Sequence, residues 1–404
     1  MASCAFNFGY DVGNFSGVQG MQATTAGQFT LGRFISFGMT GMTIVVVPVY
    51  LGEISPKSLR GMMTATLQLM IVFGQVVASL VNFGTQHITS DKGWQISVGL
   101  QFITLVILLV LLSKDRLEEA KETYCKIHKK RVTDQEIDFE IEALQYANSI
   151  HGKGSWAEVF DKPNKMRATV AIIAMFGQQI TVQAFQSQYS VIFYQQQGFT
   201  SQAFLFGVLG NIVGLFCLII TLFIVDSATF TLCRVPHGVF LFIIGGVSTV
   251  PHPNQGEKHA MVASLILYSA AYYTSWAPVS YIVVSEAAAS RVKEKTNLLA
   301  SVISILTTFI TSFTIPYLLS PPYAALGGKI GFIYGSICFA MVVVAWFLIP
   351  ELKGRSLEEV DQLFISGESL WKFGKVRTKP VEQIYSEEVG NDSKDTTRSE
   401  HIKE

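Results

Sequence analysis

The chain has 404 residues, 50% of them hydrophobic and 15% charged, and its 30 basic and 30 acidic side chains cancel to a net charge of zero. With a mean hydropathy of +0.38, this balance excludes an ordinary soluble domain, which would leave too much apolar surface in water. The zero net charge says nothing of partners, whereas the distribution of charge says a great deal.

No Asp, Glu, Lys or Arg occurs in residues 34–52, 61–90, 95–113, 168–225, 235–256, 259–285, 296–328 or 330–350. A hydrocarbon core takes about 20 apolar residues per helix. In chain order these runs predict ten spans, at 2–22, 29–52, 61–85, 95–113, 168–194, 202–225, 232–250, 260–285, 296–319 and 330–350. The 168–225 run holds two of them, divided at the polar, Gly-containing QQQGFTS of 195–201, which suits a short turn. β-barrel alternation is absent, so the fold class is an all-α polytopic membrane protein.

No basic n-region precedes the first apolar stretch, which carries Asp11, so a cleavable signal peptide is not expected. Cys4, Cys125, Cys217, Cys233 and Cys338 lie in spans, at their ends or in a long loop, and suggest no disulfide framework. Placing the N-terminus in the cytoplasm puts 26 of the 30 Lys and Arg in segments 54–60, 114–167, 226–236, 287–295 and 351–404. The positive-inside rule therefore expects both termini in the cytoplasm. The predicted organisation is an incomplete N-terminal bundle (1–113, four spans), a cytoplasmic loop (114–167), a six-helix C-terminal bundle (168–350) and a cytoplasmic tail (351–404). In the loop, DRLEEAKETYCKIHKK reads as a solvated helix, acidic early and basic late. The tail is expected to be disordered from about residue 380.

Two span exits share a pattern. Glu53, Pro56 and Arg60 stand at offsets repeated by Glu286, Ala289 and Lys293. Placed equivalently in two halves, they suggest a pseudo-twofold axis along the membrane normal. With the neighbouring Arg291, Glu53, Arg60, Glu286 and Lys293 are expected to form a cytoplasmic gate between the halves, joined by Glu351 and Arg355. A helix-capping and topological role is the alternative.

At these residues the chain resembles the sugar porter branch of the major facilitator superfamily, its fungal members in particular. FNFGYDVGNFSG (6–17) is similar to the family's first helix, and GRFISFGMTGMTIVVVPVYLGEISPKSLRG (32–61) to its fourth helix and exit. LQLMIVFGQVVAS (67–79) resembles the fifth helix and FGQQITVQAFQSQY (176–189) the seventh. SWAPVSYIVVSE with RVKEKT resembles the tenth, and GFIYG followed by PELKGRSLEEVDQLF (350–364) the twelfth and its ending. The resemblance implies a twelve-helix, two-bundle fold, of which this chain lacks helices two and three and both GRR loops. Either the first bundle repacks or dimerises, or this is a shortened form with impaired activity.

An acid within an apolar span costs about 2.5–3.5 kcal/mol on insertion scales and usually faces a cavity with a partner. Arg33, in the next span, is the available partner for Asp11. The resemblance implies that Asp11, paired with Arg33, couples transport to protons; a structural ion pair is the alternative. It also implies substrate contacts at Gln68, Gln178 and Gln179, with Gln183 from the same segment and Tyr281, which stands where the family has Trp. Amides suit vicinal hydroxyls because each offers donors and an acceptor. Ala184 and Thr308 replace two Asn of the family pattern, which argues against glucose itself. The expected function is secondary-active transport of a sugar or related polyol, proton-coupled, in the plasma membrane. An exporter, a non-transporting sensor or an inactive truncated carrier are the alternatives. The expected partners are that small molecule, protons and the bilayer. No enzyme activity, cofactor, metal or nucleic-acid partner is expected, and oligomeric state is not legible.

Overall fold

The computed structural model describes residues 2–20, 41, 44–51, 60–88, 95–97, 99–100, 154–181, 183–232, 237–319, 321–352, 355, 357–376 and 378. Every regular element among them is helical. In chain order they are α1 (Ala2–Gly20), α2 (44–51), α3 (Arg60–Thr85), α4 (Lys162–Ile180), α5 (Ser190–Gln196), α6 (Ala203–Leu232), α7 (Gly238–Val247), α8 (Gln255–Thr274), α9 (Trp276–Ala287), α10 (Lys293–Leu319), α11 (Ile330–Leu348) and α12 (Leu357–Ile365). Among the described residues, five segments are apolar and long enough to cross a hydrocarbon layer: Gly61–Thr85, Asn164–Gln196, Ala203–Val225, Lys293–Leu319 and Gly327–Leu348. The expected linker helix after residue 114 and the tail beyond 380 lie outside the described residues, as does most of the spans at 29–52 and 95–113.

Helix ends depart from the charge-free runs. The α4 helix begins at Lys162, with Pro163 in its first turn, where a missing N–H removes no hydrogen bond. Absence of charge marks the thickness of hydrocarbon, whereas a helix can continue beyond it. Two spans expected to be continuous are broken. After Ile180 the chain leaves the helix at Thr181 (ψ 21°), makes a π turn over Phe185–Tyr189 and resumes as α5. The 255–287 stretch breaks at Ser275 (φ −118°, ψ −96°), where Pro278 cannot donate to the turn before it.

Broken helices free carbonyls that lipid cannot satisfy, so side chains must. The Tyr268 hydroxyl donates to Thr181 O and the Tyr272 hydroxyl to Gln178 O at 3.2 Å. Gln178 Nε2 donates in return to Ala277 O at 3.0 Å. The break in each helix is thus satisfied by side chains of the other.

In the first half, α1 crosses α3 at backbone contact. A Cβ on Gly9 would lie 1.8 Å from Ile71 O, and one on Gly74 2.2 Å from Phe6 O, the small-residue packing that brings membrane helices together. The equivalent pair in the second half is α4 with α10. Helix α3 packs on its other side against α6. The halves meet in a shared apolar cluster that includes Ile44, Val47 and Leu67 from one and Ala171, Val284 and Ala300 from the other. Hydrogen bonds also cross between them, among them Asn297 Nδ2 to Val45 O at 2.6 Å and the Tyr273 hydroxyl to Gln75 Oε1 at 2.8 Å.

Candidate functional site

A cavity of about 510 Å³ lies between the halves, within the range of about 300–1,000 Å³ common for small-molecule sites. It is bounded by α1, α2 and α3 on one side and by α4, the π turn, α8, α9 and α10 on the other. Gln68, Gln178, Gln179, Gln183 and Tyr281 all line it, so every substrate contact expected from sequence stands on one wall system. The break after Ile180 makes this possible. In an unbroken helix Gln183, four residues on, would share the face of Gln179 while Gln188 would point away from it, and the π turn brings Gln188 onto the wall.

The five amides are not equivalent. Gln178 donates to Ala277 O at 3.0 Å and accepts from Gln179 Nε2 at 3.1 Å, so it is committed to the frame. Gln68 and Gln188 are each only 4% exposed, yet neither side chain, nor that of Gln183, makes a hydrogen bond among the described residues. A buried amide without a partner costs about 1–3 kcal/mol, and the cavity is where these groups can be satisfied by a polar ligand or water.

Several lining residues were missed in the sequence: Gln188, Tyr272, Ser304 and Ser312. Two periodic signals were available. On α3, Gln68, Gln75 and Asn82 recur every seven residues and are all buried, one polar stripe on an otherwise apolar helix. On α10, Asn297, Ser301, Ser304, Thr307 and Thr311 recur at three or four and are buried likewise. Gln188 had no such signal, because the π turn shifts its face.

Asp11 is buried on α1, adjacent to the face from which Phe8 and Val12 reach the cavity, and is not itself in the wall. Arg33 lies outside the described residues, so the pairing expected for Asp11 does too. Among the expected gate residues, Glu53 and the Arg60 side chain are likewise outside. Glu286 is half-buried and Lys293 fully buried at the α9–α10 turn.

Arg291 engages its own half. Its Nε lies 3.2 Å from Glu158 Oε2, Gly154 N donates to Arg291 O at 3.0 Å, and Lys295 Nζ donates to Gly154 O. The Ser155 backbone N–H, aided by Arg291 and Lys295, holds the Glu158 carboxyl below its ordinary value. Segment 154–160 is thereby fastened to the α9–α10 turn.

Glu351 and Arg355, the remaining residues of the expected gate, lie against the segment that follows them. Arg355 donates from Nη2 to Phe373 O and Val376 O, both at 2.8 Å, and burial lowers its pKa against the opposing pull of Glu359 and Glu351. Glu351 lies beside Gly374. Arg167 pairs with Asp361 and stacks over Phe364 at 5.0 Å. Residues 357–376, expected as tail, are therefore docked on the start of α4, with Leu363 and Phe373 buried.

The sequence profile of the family described as Sugar (and other) transporter matches residues 1–364. Among curated relatives, the low-affinity glucose transporter of Kluyveromyces lactis is 28% identical over 377 residues, covering 85% of this chain and 65% of that protein. The galactose transporter of Saccharomyces cerevisiae is 26% identical over 381 residues, covering 85% and 64%. The chain thus spans slightly less than two thirds of the length of these relatives. Among solved structures, the proton:xylose symporter XylE bound to 6-bromo-6-deoxy-D-glucose aligns at a TM-score of 0.67 with 19% identity, covering 90% of this chain and 83% of that one. The inward-open xylose transporter XylE from E. coli aligns at 0.62 with 18% identity, covering 89% and 81%. These structural likenesses give the fold, a two-bundle major facilitator arrangement.

Proposed function

The chain belongs to the Sugar (and other) transporter family, and on that premise we propose that it is a secondary carrier of a sugar or related polyol working by alternating access. The observation that carries this reading is the interhalf cavity of about 510 Å³, whose wall presents Gln68 from one half and Gln179, Gln183 and Gln188 from the other. Amides on both halves let one ligand bridge them, and a site shared between halves is what rocking must expose in turn. The glucose and galactose transporters among its relatives support the substrate class.

The gate and the coupling group belong to the same proposal. The span exits carrying Glu53, Arg60, Glu286 and Lys293 face the cytoplasm by the positive-inside rule and close that side by charge pairing. Exposed pairs contribute about 0–1 kcal/mol each, so closure depends on several acting together with the apolar cluster around Leu67 and Val284. Asp11, buried beside the cavity face of α1, exchanges the proton with Arg33 as its partner. Both termini lie in the cytoplasm, and the membrane is the plasma membrane.

The test is uptake of radiolabelled hexoses and pentoses by proteoliposomes containing the full chain, with and without an inward proton gradient. Saturable uptake that is lost in Gln68→Ala supports the reading, and gradient-driven accumulation lost in Asp11→Asn supports coupling. Binding without uptake in intact protein would assign the chain to sensing instead, and absence of both would remove the proposal.

A further inference from the structure

The cavity has two chemically distinct sides. Amides gather on α3, α4 and the π turn, while α1 and α10 supply Phe8, Ile305, Leu306 and Phe309, an apolar stretch bordered by the hydroxyls of Ser304, Thr308 and Ser312. Ile305, Leu306 and Phe309 line the cavity and are at the same time 41%, 51% and 64% exposed. The wall therefore runs without interruption from the cavity onto the outer surface of α10. That surface continues at Leu298, Val302 and Phe313, all exposed, at spacings of three or four that keep to one helical stripe.

The pseudo-twofold explains why the stripe is bare. Helix α3 is flanked by α1 on one side and α6 on the other. Helix α10, its counterpart, has its extensive contact with α4, and no helix among the described residues stands where α6 stands beside α3. Among the described residues, then, the apolar wall of the cavity is continuous with an uncovered stripe of α10.

We propose that the ligand of this cavity is a sugar or polyol carrying an apolar substituent, with its hydroxyls on the glutamine side and its substituent against Leu306 and Phe309. The inference rests on the sugar site argued above and names the class of molecule that fits both of its sides. A free hexose has no apolar group to lay against Ile305, Leu306 and Phe309, whereas an apolar substituent covers that stretch. Each methylene-sized piece of substituent covered by that wall gains about fourfold in affinity, so a phenyl group gains at least about tenfold.

The experiment is equilibrium binding to the full chain in lipid nanodiscs, comparing methyl with phenyl β-glycosides of glucose, galactose and xylose. At least one sugar is expected to bind about tenfold tighter as its phenyl glycoside. In Phe309→Gln that ratio is expected to fall below about threefold. The wild-type ratio alone tests the proposal, should the variant fail to fold. Equal affinity for methyl and phenyl forms would overturn the inference and leave the sugar site standing. No binding of any glycoside would overturn the sugar site and the inference with it. A phenyl gain that survives Gln68→Ala with Gln179→Ala would show partition into lipid or another site, and would overturn the inference as well.

Discussion

Among the glutamines of the cavity, hydrogen bonding separates those that build the site from those that serve it. Gln178 bridges two broken helices through Ala277 O, so Gln178→Ala removes that bond together with the acceptor of Gln179 Nε2 and costs about 1–3 kcal/mol of stability. Gln68 makes no bond among the described residues, so Gln68→Ala is expected to abolish ligand affinity while changing stability by less than about 1 kcal/mol. Thermal melts paired with binding assays distinguish the two; equal melting losses would mean that Gln68 is also part of the frame. Glu158 gives a second residue-scale expectation. Its folded pKa is lowered from 4.5 by Ser155, Arg291 and Lys295, so the fastening of segment 154–160 is present above that ordinary value and lost as pH falls through the lower folded one. Amide exchange in 154–160 should show protection that is flat between about pH 5 and 8 and falls only in stronger acid. Glu158→Gln should lose it at neutral pH.

Interrupted helices carry the site, and each interruption has an identifiable cause. The Ser275 break was signposted by Pro278 three residues on, whereas the break after Ile180 was not. Its sequence, ITVQAF, holds neither Gly nor Pro, and the distortion persists because Tyr268 and Tyr272 satisfy the carbonyls it frees. Tyr268→Phe is therefore expected to cost about 1–3 kcal/mol and to weaken ligand binding through loss of the π turn's geometry, although the residue does not line the cavity. Unchanged binding in that variant would mean that the turn is set by something else. Charge-free runs made the helices readable in advance, and the family resemblance pointed to Gln68, Gln178, Gln179, Gln183 and Tyr281 on the cavity wall. What could not be read were features that arise only when two elements meet: the π turn, the cross-satisfied carbonyls, and the docking of 357–376 through Arg167 and Asp361. The close crossing of α1 with α3 belongs here too. Gly74→Val drives a side chain into Phe6 O and Tyr10 N, where neither backbone can yield. The expected loss is at least about 1–3 kcal/mol, read as a drop in detergent melting temperature.

At the scale of the molecule, two halves enclose the glutamine-lined cavity and are joined across it by apolar packing and by single hydrogen bonds. Asn297 to Val45 O spans the side sealed by the Leu67–Val284 cluster. Rocking must separate this pair, so tying it should stop transport and spare binding. In a chain with Cys at 45 and 297 and no other thiols, a short bifunctional thiol reagent is expected to abolish uptake while leaving ligand affinity within about threefold. Undiminished uptake after complete cross-linking would show that the pair stays together throughout the cycle.

Trp276 adds a practical consequence. It is fully buried, and its indole lies against Gly177, where a Cβ would come within 2.2 Å of the ring, one residue from the Gln178–Gln179 pair. Trp156, Trp346 and Trp371 are by contrast about half exposed. An aqueous collisional quencher should therefore silence Trp156 and Trp371, which lie outside the spans, first, and with Trp94 and Trp346 replaced by Phe the emission that remains would report on the cavity wall without any added label.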